Sequence, residues 1–259
     1  MKKLTLILFP LFLFINFDLP DFDIEKDFST NQTKRFTVIY KSVDDLLITA
    51  DVYHSQNMDA PWIILFHQAG YSRGEYREIA PKLNAMGFNC LAVDQRSGVA
   101  VNNVVNETHK EAVGKKMATK YPDAFPDLEA SLLYAKTVLK SKKIIVWGSS
   151  YSASLVFILA SKHKTDVAAI VAFSPGEYFT YEGKKIADFA ADIDCPVFIT
   201  SSASEHKDWK KIYEGLNSET KIGFLPSSKG FHGSKALWEE KTGNEEYWNA
   251  ISNFLENQL

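Results

Sequence analysis

Apolar and polar positions divide this chain into strands and helices that alternate after an opening pair of strands. Residues 34–41 and 46–53 each alternate polar with apolar side chains, and the turn signal Ser42-Val43-Asp44-Asp45 separates them. This pattern predicts an antiparallel hairpin. Apolar runs then predict buried strands over residues 61–66, 88–93, 144–147, 167–173, 196–200 and 221–225.

Helical patterns lie between these apolar runs. They predict helices over residues 75–86, 123–139, 153–160 and 209–216, and from Leu237 to the C-terminus. The alternation of strand and helix predicts a single α/β domain over residues 34–259, with a mostly parallel central sheet covered by helices on both faces.

Two segments without a strong pattern bear on access to a site. Residues 176–194 are too short for a large cap domain. Within them, Tyr178, Phe179 and Tyr181 are expected either to wall an open pocket or to pack in the core. Residues 99–122 are polar and weakly periodic, and they are interpreted as a small flap.

The N-terminal 33 residues differ in character from the rest of the chain. Residues 1–17 combine a basic start with an almost wholly apolar run, which predicts a secretory signal peptide. No clear small-residue cleavage site follows, so an uncleaved N-terminal anchor is the alternative. Residues 18–33 form a polar spacer. We therefore expect an exported protein, either periplasmic or secreted.

One stretch, residues 143–155, carries the strongest chemical signal. It passes from a strand into an apolar helix through Gly148-Ser149-Ser150-Tyr151-Ser152. A strand that enters a helix through a tight turn, with small residues around a serine, is typical of a nucleophile elbow. A serine-rich loop that only caps the helix is the alternative interpretation.

The spacing of small residues selects one serine in this turn. The nucleophile occupies a strained conformation, so the residues two before and two after it must be small. Framed on Ser150, these are Gly148 and Ser152. Framing on Ser149 would place Trp147 in the first of these positions, and framing on Ser152 supplies no glycine. Ser150 is therefore the predicted nucleophile.

A serine nucleophile needs a histidine base and an acid that supports it. His232 lies in Gly230-Phe231-His232-Gly233, beyond the last predicted strand, and is the predicted base. Glu205 follows the strand over residues 196–200 and is the first choice for the acid. Asp208 is the second choice and Asp194 the third, because Asp194 precedes that strand. A solvated loop charge is the alternative interpretation of Glu205.

Backbone N–H groups must also stabilise the oxyanion that forms during acyl transfer. One is expected from Tyr151, directly after the nucleophile. The second is expected from the turn His67-Gln68-Ala69-Gly70, where Ala69 is the first choice and Gln68 the fallback. His67 is expected to order this turn.

Composition and charge exclude several classes of partner. The 259 residues carry a formal net charge of −3, which is not the footprint of a nucleic-acid-binding protein. The histidines and the two cysteines show no metal-ligand spacing, and no metal or other cofactor is expected. Cys90 and Cys195 are interpreted as packing residues. The expected partner is a small-molecule or acylated substrate, with no stable membrane partner unless residues 1–17 remain as an anchor.

Taken together, these motifs resemble the α/β-hydrolase superfamily from about Phe36 to the C-terminus. The resemblance is carried by Phe66-His67-Gln68-Ala69-Gly70, Asp94-Gln95-Arg96-Ser97-Gly98, the serine elbow and Gly230-Phe231-His232. It is nearest to the dienelactone-hydrolase-like and esterase-like branch. Three positions depart from the usual pattern: Ser152 and Gln68 stand where glycine is usual, and Glu205 where aspartate is commoner.

The resemblance implies a single-domain α/β-hydrolase fold without a large cap, and a serine hydrolase that needs no cofactor. Its Ser150-His232-Glu205 triad would cleave a carboxylic ester through an acyl-enzyme intermediate. A peptidase or amidase of the same fold is one alternative, and a catalytically silent binding protein is another. Dienelactone hydrolases use a cysteine nucleophile, which this elbow lacks, so their substrate is not expected here.

Overall fold

A mixed sheet of eight strands forms the centre of the domain. The computed structural model describes residues 34–259 except Gln56 and Met58; the predicted signal peptide (1–17) and spacer (18–33) lie outside the described residues. The strands are β1 (Lys34–Lys41), β2 (Leu47–His54), β3 (Trp62–Phe66), β4 (Asn89–Val93), β7 (Ile144–Ser149), β8 (Ala169–Phe173), β9 (Val197–Thr200) and β10 (Lys221–Phe224). Two short strands, β5 (Ala100–Val101) and β6 (Val104–Val105), pair separately.

The order of strands across the sheet is β1-β2-β4-β3-β7-β8-β9-β10. Strands β1 and β2 form the predicted antiparallel hairpin, and β2 also runs antiparallel to β4. All other neighbours in the sheet are parallel. The carboxyl ends of β3, β7, β8, β9 and β10 therefore meet at one edge, which is where sites form in such sheets.

Helices cover both faces of this sheet, as the sequence predicts. They are α1 (Ile79–Ala85), α2 (Glu107–Gly114), α3 (Phe125–Thr137), α4 (Tyr151–Lys162), α5 (Ile186–Ala190), α6 (His206–Gly215) and α7 (Asn244–Glu256). One core contains buried residues of α3, α4, α5 and α6, and the other contains residues of α1 and α7. Alternate residues of β3 contribute to the two cores, which explains its uninterrupted apolar run.

The structure refines two of the predicted helical segments and places a further helix in residues 99–122, where none was predicted. The predicted helix over residues 75–86 is divided into a 3₁₀ turn, Arg73–Tyr76, and α1. The predicted final helix begins later, at Asn244, because the chain is extended at Trp238 and left-handed at Gly243. Residues 99–122 contain the β5–β6 hairpin and α2, whose first turn is capped by the Asn106 side chain.

Across the part of the chain that the structure describes, no helix combines the length and apolar character needed to cross a bilayer. Both cysteines are free thiols; Cys90 is buried and Cys195 is half-buried.

Candidate active site

Ser150 occupies a strained turn between β7 and α4. Its backbone angles are φ 60° and ψ −121°, a left-handed φ that non-glycine residues rarely adopt. Its N–H donates to the carbonyl oxygen of Phe173 at 2.8 Å. A Cβ atom at Gly148 would lie 2.4 Å from the Ser152 carbonyl oxygen and 2.5 Å from the Ala153 nitrogen. The close approach of these backbones explains why this position requires glycine.

Ser150, His232 and Glu205 form a continuous hydrogen-bonded series. The Oγ of Ser150 lies 2.8 Å from Nε2 of His232. The Nδ1 of His232 lies 2.6 Å from Oε1 of Glu205. When Nδ1 carries the proton and donates to the carboxylate, Nε2 is free to accept the serine hydroxyl proton. The structure thus brings together the three residues that the sequence analysis predicts as nucleophile, base and acid.

Glu205 lies in a short 3₁₀ turn, Ala203–Glu205, after β9. Its second carboxylate oxygen accepts the Ser174 hydroxyl at 2.8 Å and the Ser202 N–H at 3.2 Å. Burial acts to raise the pKa of Glu205, but hydrogen bonds from His232 and Ser174 outweigh burial and hold this pKa below its usual range. Glu205 is therefore an anion at neutral pH.

The two other acid candidates lie elsewhere. Asp208 is exposed in the first turn of α6, and Asp194 is exposed before β9. His232 is hydrogen-bonded to Glu205 and to neither of these aspartates. Glu205 is thus the carboxylate in position to orient the imidazole.

The glycines around His232 fit tight spaces. Gly230 has a φ of 64°, and a Cβ there would lie 2.1 Å from the Tyr247 hydroxyl oxygen. Gly233 has a φ of 74°, and a Cβ there would lie 2.4 Å from Oε1 of Gln68. The N–H of Gly233 donates to the Ser174 hydroxyl oxygen at 2.9 Å. These contacts hold the histidine loop against the neighbouring loops.

His67 is fully buried and orders the turn after β3, as the sequence analysis expects. Its Nδ1 donates to the Gln68 carbonyl oxygen at 2.8 Å, and its Nε2 accepts the Gln95 N–H at 3.0 Å. Burial lowers the pKa of His67 to about 4. A neutral imidazole with one donor and one acceptor satisfies both contacts.

The predicted oxyanion donors lie in two different environments. The N–H of Gln68 already donates to Oε2 of Glu75 at 2.7 Å, so the fallback donor is engaged. Among the described residues, the N–H of Ala69 has no acceptor within hydrogen-bond geometry. Tyr151 is the first residue of α4, and N–H groups in a first helical turn have no partner within the helix. Ala69 and Tyr151 are thus the available donors.

An open cavity of about 410 Å³ is lined by Lys120, Tyr121, Pro122, Tyr178 and Phe179. The ring of Tyr121 stacks on that of Tyr151, with centroids 4.7 Å apart. The Tyr178 hydroxyl donates to the Ser174 carbonyl oxygen at 2.8 Å. Burial and the charge of Glu205 raise the pKa of Tyr178 to about 12. Tyr121 and Tyr178 thus connect the cavity to Tyr151, which follows Ser150 in the chain, and to Ser174. Glu205 and His232 line a second cavity, of about 530 Å³.

Of the three aromatic residues considered from sequence, Tyr178 and Phe179 line this cavity. Tyr181 packs against Phe125 and Phe189, with ring centroids 4.9 Å and 6.2 Å away. Tyr178 and Phe179 therefore wall a pocket, whereas Tyr181 is a packing residue.

Sequence reasoning assigned no role to several polar residues at the site: Glu75, Ser149 and Ser174. The position of Ser174 could have indicated a role at the site, because it directly follows the carboxyl end of a predicted strand. Glu75 resembled the first residue of an ordinary helix, and no local pattern marks it as buried. Glu75 is fully buried because the 3₁₀ turn that carries it packs against the rest of the domain.

Comparison with known proteins agrees with this fold. The family model described as alpha/beta hydrolase fold matches residues 61–254. No curated protein matches the chain.

Solved structures share the fold at low sequence identity. An esterase from Pyrococcus furiosus, Pf2001, is 19% identical with a TM-score of 0.66, over 87% of this chain and 93% of the esterase. A dienelactone hydrolase from Anabaena variabilis is 13% identical with a TM-score of 0.68, over 88% of this chain and 99% of its own. The Butyrivibrio proteoclasticus protein Est1E, solved with ferulic acid, is 14% identical with a TM-score of 0.63, over 85% and 99% of the two chains.

These matches confirm the resemblance to α/β hydrolases that the sequence motifs carry. They also confirm the single-domain fold predicted from the alternation of strands and helices. The chain belongs to the alpha/beta hydrolase fold family.

Proposed function

We propose that this protein is a serine hydrolase that cleaves carboxylic esters through an acyl-enzyme intermediate. The observation that carries the proposal is the contact series from Ser150 Oγ to His232 Nε2, at 2.8 Å, and from His232 Nδ1 to Glu205 Oε1, at 2.6 Å. A serine hydroxyl is a weak nucleophile unless an adjacent base takes its proton. The strained backbone of Ser150 supports the same role.

In the first half of the proposed reaction, Ser150 Oγ attacks the acyl carbon and its proton passes to His232 Nε2. The carbonyl oxygen becomes an oxyanion that the N–H groups of Tyr151 and Ala69 stabilise. The intermediate then collapses: the carbon–oxygen bond to the alcohol breaks, and Nε2 returns the proton to the leaving oxygen. The acyl group remains bound to Ser150 as an ester.

The second half repeats these steps with water. His232 Nε2 removes a proton from water, whose oxygen attacks the acyl-enzyme carbonyl carbon. Collapse of the second intermediate releases the carboxylic acid and returns the proton to Ser150 Oγ. The ionised Glu205 stabilises the imidazolium that forms twice in this cycle. Water is the one co-reactant that this proposed reaction consumes besides the ester.

The acyl group is proposed to occupy the cavity lined by aromatic residues, whose Tyr121 stacks on Tyr151, the residue after Ser150. Its walls are mainly aromatic, from Tyr121, Tyr178 and Phe179, with Lys120 at the same site. Burial of apolar acyl surface there would favour binding.

Ester hydrolysis is tested with para-nitrophenyl acetate, butyrate and decanoate, and with the para-nitroanilides of the same acids. The proposal predicts hydrolysis of the esters and at least about 10⁴-fold loss in Ser150→Ala. Ser161→Ala, which removes a hydroxyl at the far end of α4, is the matched control and should retain full activity. Faster cleavage of the anilides would instead support the amidase alternative, and inactivity of folded wild type towards both would support a binding protein.

Export is a separate proposal, based on the basic and apolar residues 1–17. Mass spectrometry of the N-terminus of protein recovered from the periplasm or medium tests it. A mature chain that begins after residue 17 supports the signal peptide, whereas an intact Met1 on membrane-associated protein supports the anchor.

A further inference from the structure

A second buried carboxyl group, that of Glu75, lies beside the proposed active site and takes no part in the reaction described above. Glu75 is fully buried in the 3₁₀ turn after β3. Its Oε2 accepts the Gln68 N–H at 2.7 Å, and its Oε1 accepts the Ser149 hydroxyl at 2.7 Å. Ser149 Oγ in turn accepts the Ser234 N–H at 2.8 Å. We refer to Gln68, Glu75, Ser149 and Ser234 as the Glu75 bridge.

The Glu75 bridge joins three loops, and each loop carries one part of the proposed reaction. Gln68 precedes Ala69, the proposed oxyanion donor, and Ser149 precedes the nucleophile. Ser234 follows the base, His232, by two positions. A loss of one contact in this bridge would therefore shift groups that must be held to fractions of an ångström.

The packing around the bridge leaves little room for other arrangements. A Cβ on Gly233 would lie 2.4 Å from Gln68 Oε1 and 2.7 Å from Ser149 Oγ. The indole of Trp238 donates to the Glu75 carbonyl oxygen at 2.9 Å, and that of Trp147 donates to Ser234 Oγ at 2.9 Å. These contacts fix the backbone at both ends of the bridge.

The hydrogen bonds of the bridge are complete only when Glu75 is ionised. Ser149 has a single hydroxyl proton, which it donates to Glu75 while its oxygen accepts the Ser234 N–H. A proton on the carboxyl oxygen would compete with the Ser149 hydroxyl proton for the same space. Burial raises the pKa of Glu75 to about 7, although hydrogen bonds from Gln68 and Ser149 lower it in part.

Few charged groups face this carboxyl. His232 and Lys235, on the loop after β10, act on it through space and favour its ionised form. The phenols of Tyr71, Tyr76 and Tyr151 are the other titratable groups that interact with its charge, and burial raises the pKa of each.

We propose that Glu75 is a positioning residue: its carboxylate ties the oxyanion turn, the nucleophile elbow and the histidine loop into one unit. The proposal rests on the proposed function, because it concerns the geometry of that same site. Protonation of Glu75 would remove the tie, so hydrolysis should require an ionised Glu75 in addition to the triad in its active protonation state.

The test compares Glu75→Gln with wild type on para-nitrophenyl butyrate. A glutamine side chain has one acceptor and one donor, so it satisfies one arm of the bridge and opposes the other. We expect about 10- to 100-fold lower kcat with KM changed less than about threefold, because positioning acts on the transition state. The acid limb of log kcat/KM against pH should be steeper in wild type than in Glu75→Gln, because the variant lacks one titrating group.

The matched control is Glu78→Gln, an exposed glutamate in the same segment, whose activity and slope should equal those of wild type. If Glu75→Gln does not fold, Ser149→Ala answers the same question, because it removes one arm and keeps the carboxylate. Reduced kcat with retained KM in Ser149→Ala supports the proposal.

Two outcomes separate this proposal from the proposed function. Wild type that hydrolyses esters, together with a folded Glu75→Gln variant within threefold in kcat and unchanged in slope, overturns the positioning role alone. Folded wild type without any ester hydrolysis overturns the proposed function and with it the role given to Glu75.

Discussion

The Ser174 hydroxyl donates a 2.8 Å hydrogen bond to Oε2 of Glu205, the oxygen that does not contact His232. Ser174 itself has a left-handed φ of 55°, so its side chain is held beside the acid by an unusual backbone. Its oxygen also accepts the N–H of Gly233, the residue after the base. One side chain after β8 thus connects the predicted acid with the loop of the predicted base.

Ser174→Ala should lower kcat by about tenfold and destabilise the fold by about 1–3 kcal/mol, because Gly233 loses its acceptor and Glu205 a donor. The same hydrogen bond lowers the pKa of Glu205, which must be ionised to support His232. Its loss raises that pKa, so the acid-side decline in activity should begin at higher pH. The pH dependence of kcat measures the first effect, and urea unfolding measures the loss of stability. A folded Ser174→Ala variant with the kcat and pH profile of wild type would contradict this role of Ser174.

The identity of the acid is tested by two substitutions made side by side. Glu205→Ala removes the group that is hydrogen-bonded to His232, and should lower kcat by about 10³-fold or more. Asp208→Ala removes an exposed carboxylate of α6 and should stay within about twofold of wild type. The comparison uses kcat on one ester; a larger loss in Asp208→Ala would reverse the assignment.

The elbow geometry predicts a strong difference between two glycines. Gly148→Ala would place its Cβ against the backbone of Ser152 and Ala153, which rotamer changes cannot relieve. We expect about 3 kcal/mol of destabilisation and loss of activity. Gly114→Ala, at the exposed end of α2 with no atom near its Cβ, should be neutral or stabilising by up to about 1 kcal/mol. Unfolding midpoints of the two variants provide the measurement.

The buried Glu75 also predicts how stability depends on pH. Because burial raises the folded pKa of Glu75 to about 7 from its ordinary value of 4.5, the folded state holds this proton more tightly than the unfolded chain. Ionisation of Glu75 therefore destabilises the fold as pH rises through this window. Relative to Glu75→Gln, wild type should lose about 2–3 kcal/mol of unfolding free energy between pH 4.5 and pH 7. A constant difference between the two proteins across that range would contradict the raised pKa.

The sequence predicted the sheet well for a physical reason. Strands such as β3 and β7 are buried on both faces, so they appear as uninterrupted apolar runs. The parallel order then places their carboxyl ends together, and the residues that follow them become neighbours. Ser150, Glu205 and His232 could be chosen on that basis, together with the small residues that tight loops require.

The contacts that support the site could not be predicted in the same way. Glu75 and Ser149 are 74 positions apart, and no local pattern links them. The segment that carries Glu75 has helical periodicity, but it forms a 3₁₀ turn whose glutamate points into the protein. Helix α2 was missed because only Thr108 and Ala112 of its residues are buried, which leaves a weak apolar pattern.

Labelling with a fluorophosphonate probe, followed by peptide mapping, shows whether Ser150 is an activated nucleophile. We expect a covalent adduct on Ser150 of wild type, none on Ser150→Ala, and wild-type labelling of the Ser161→Ala control. An adduct on Ser149 or Ser152 would contradict the assignment of the nucleophile. Absence of any adduct on folded wild-type protein, with the cavity open to solvent, would contradict the claim of an activated serine.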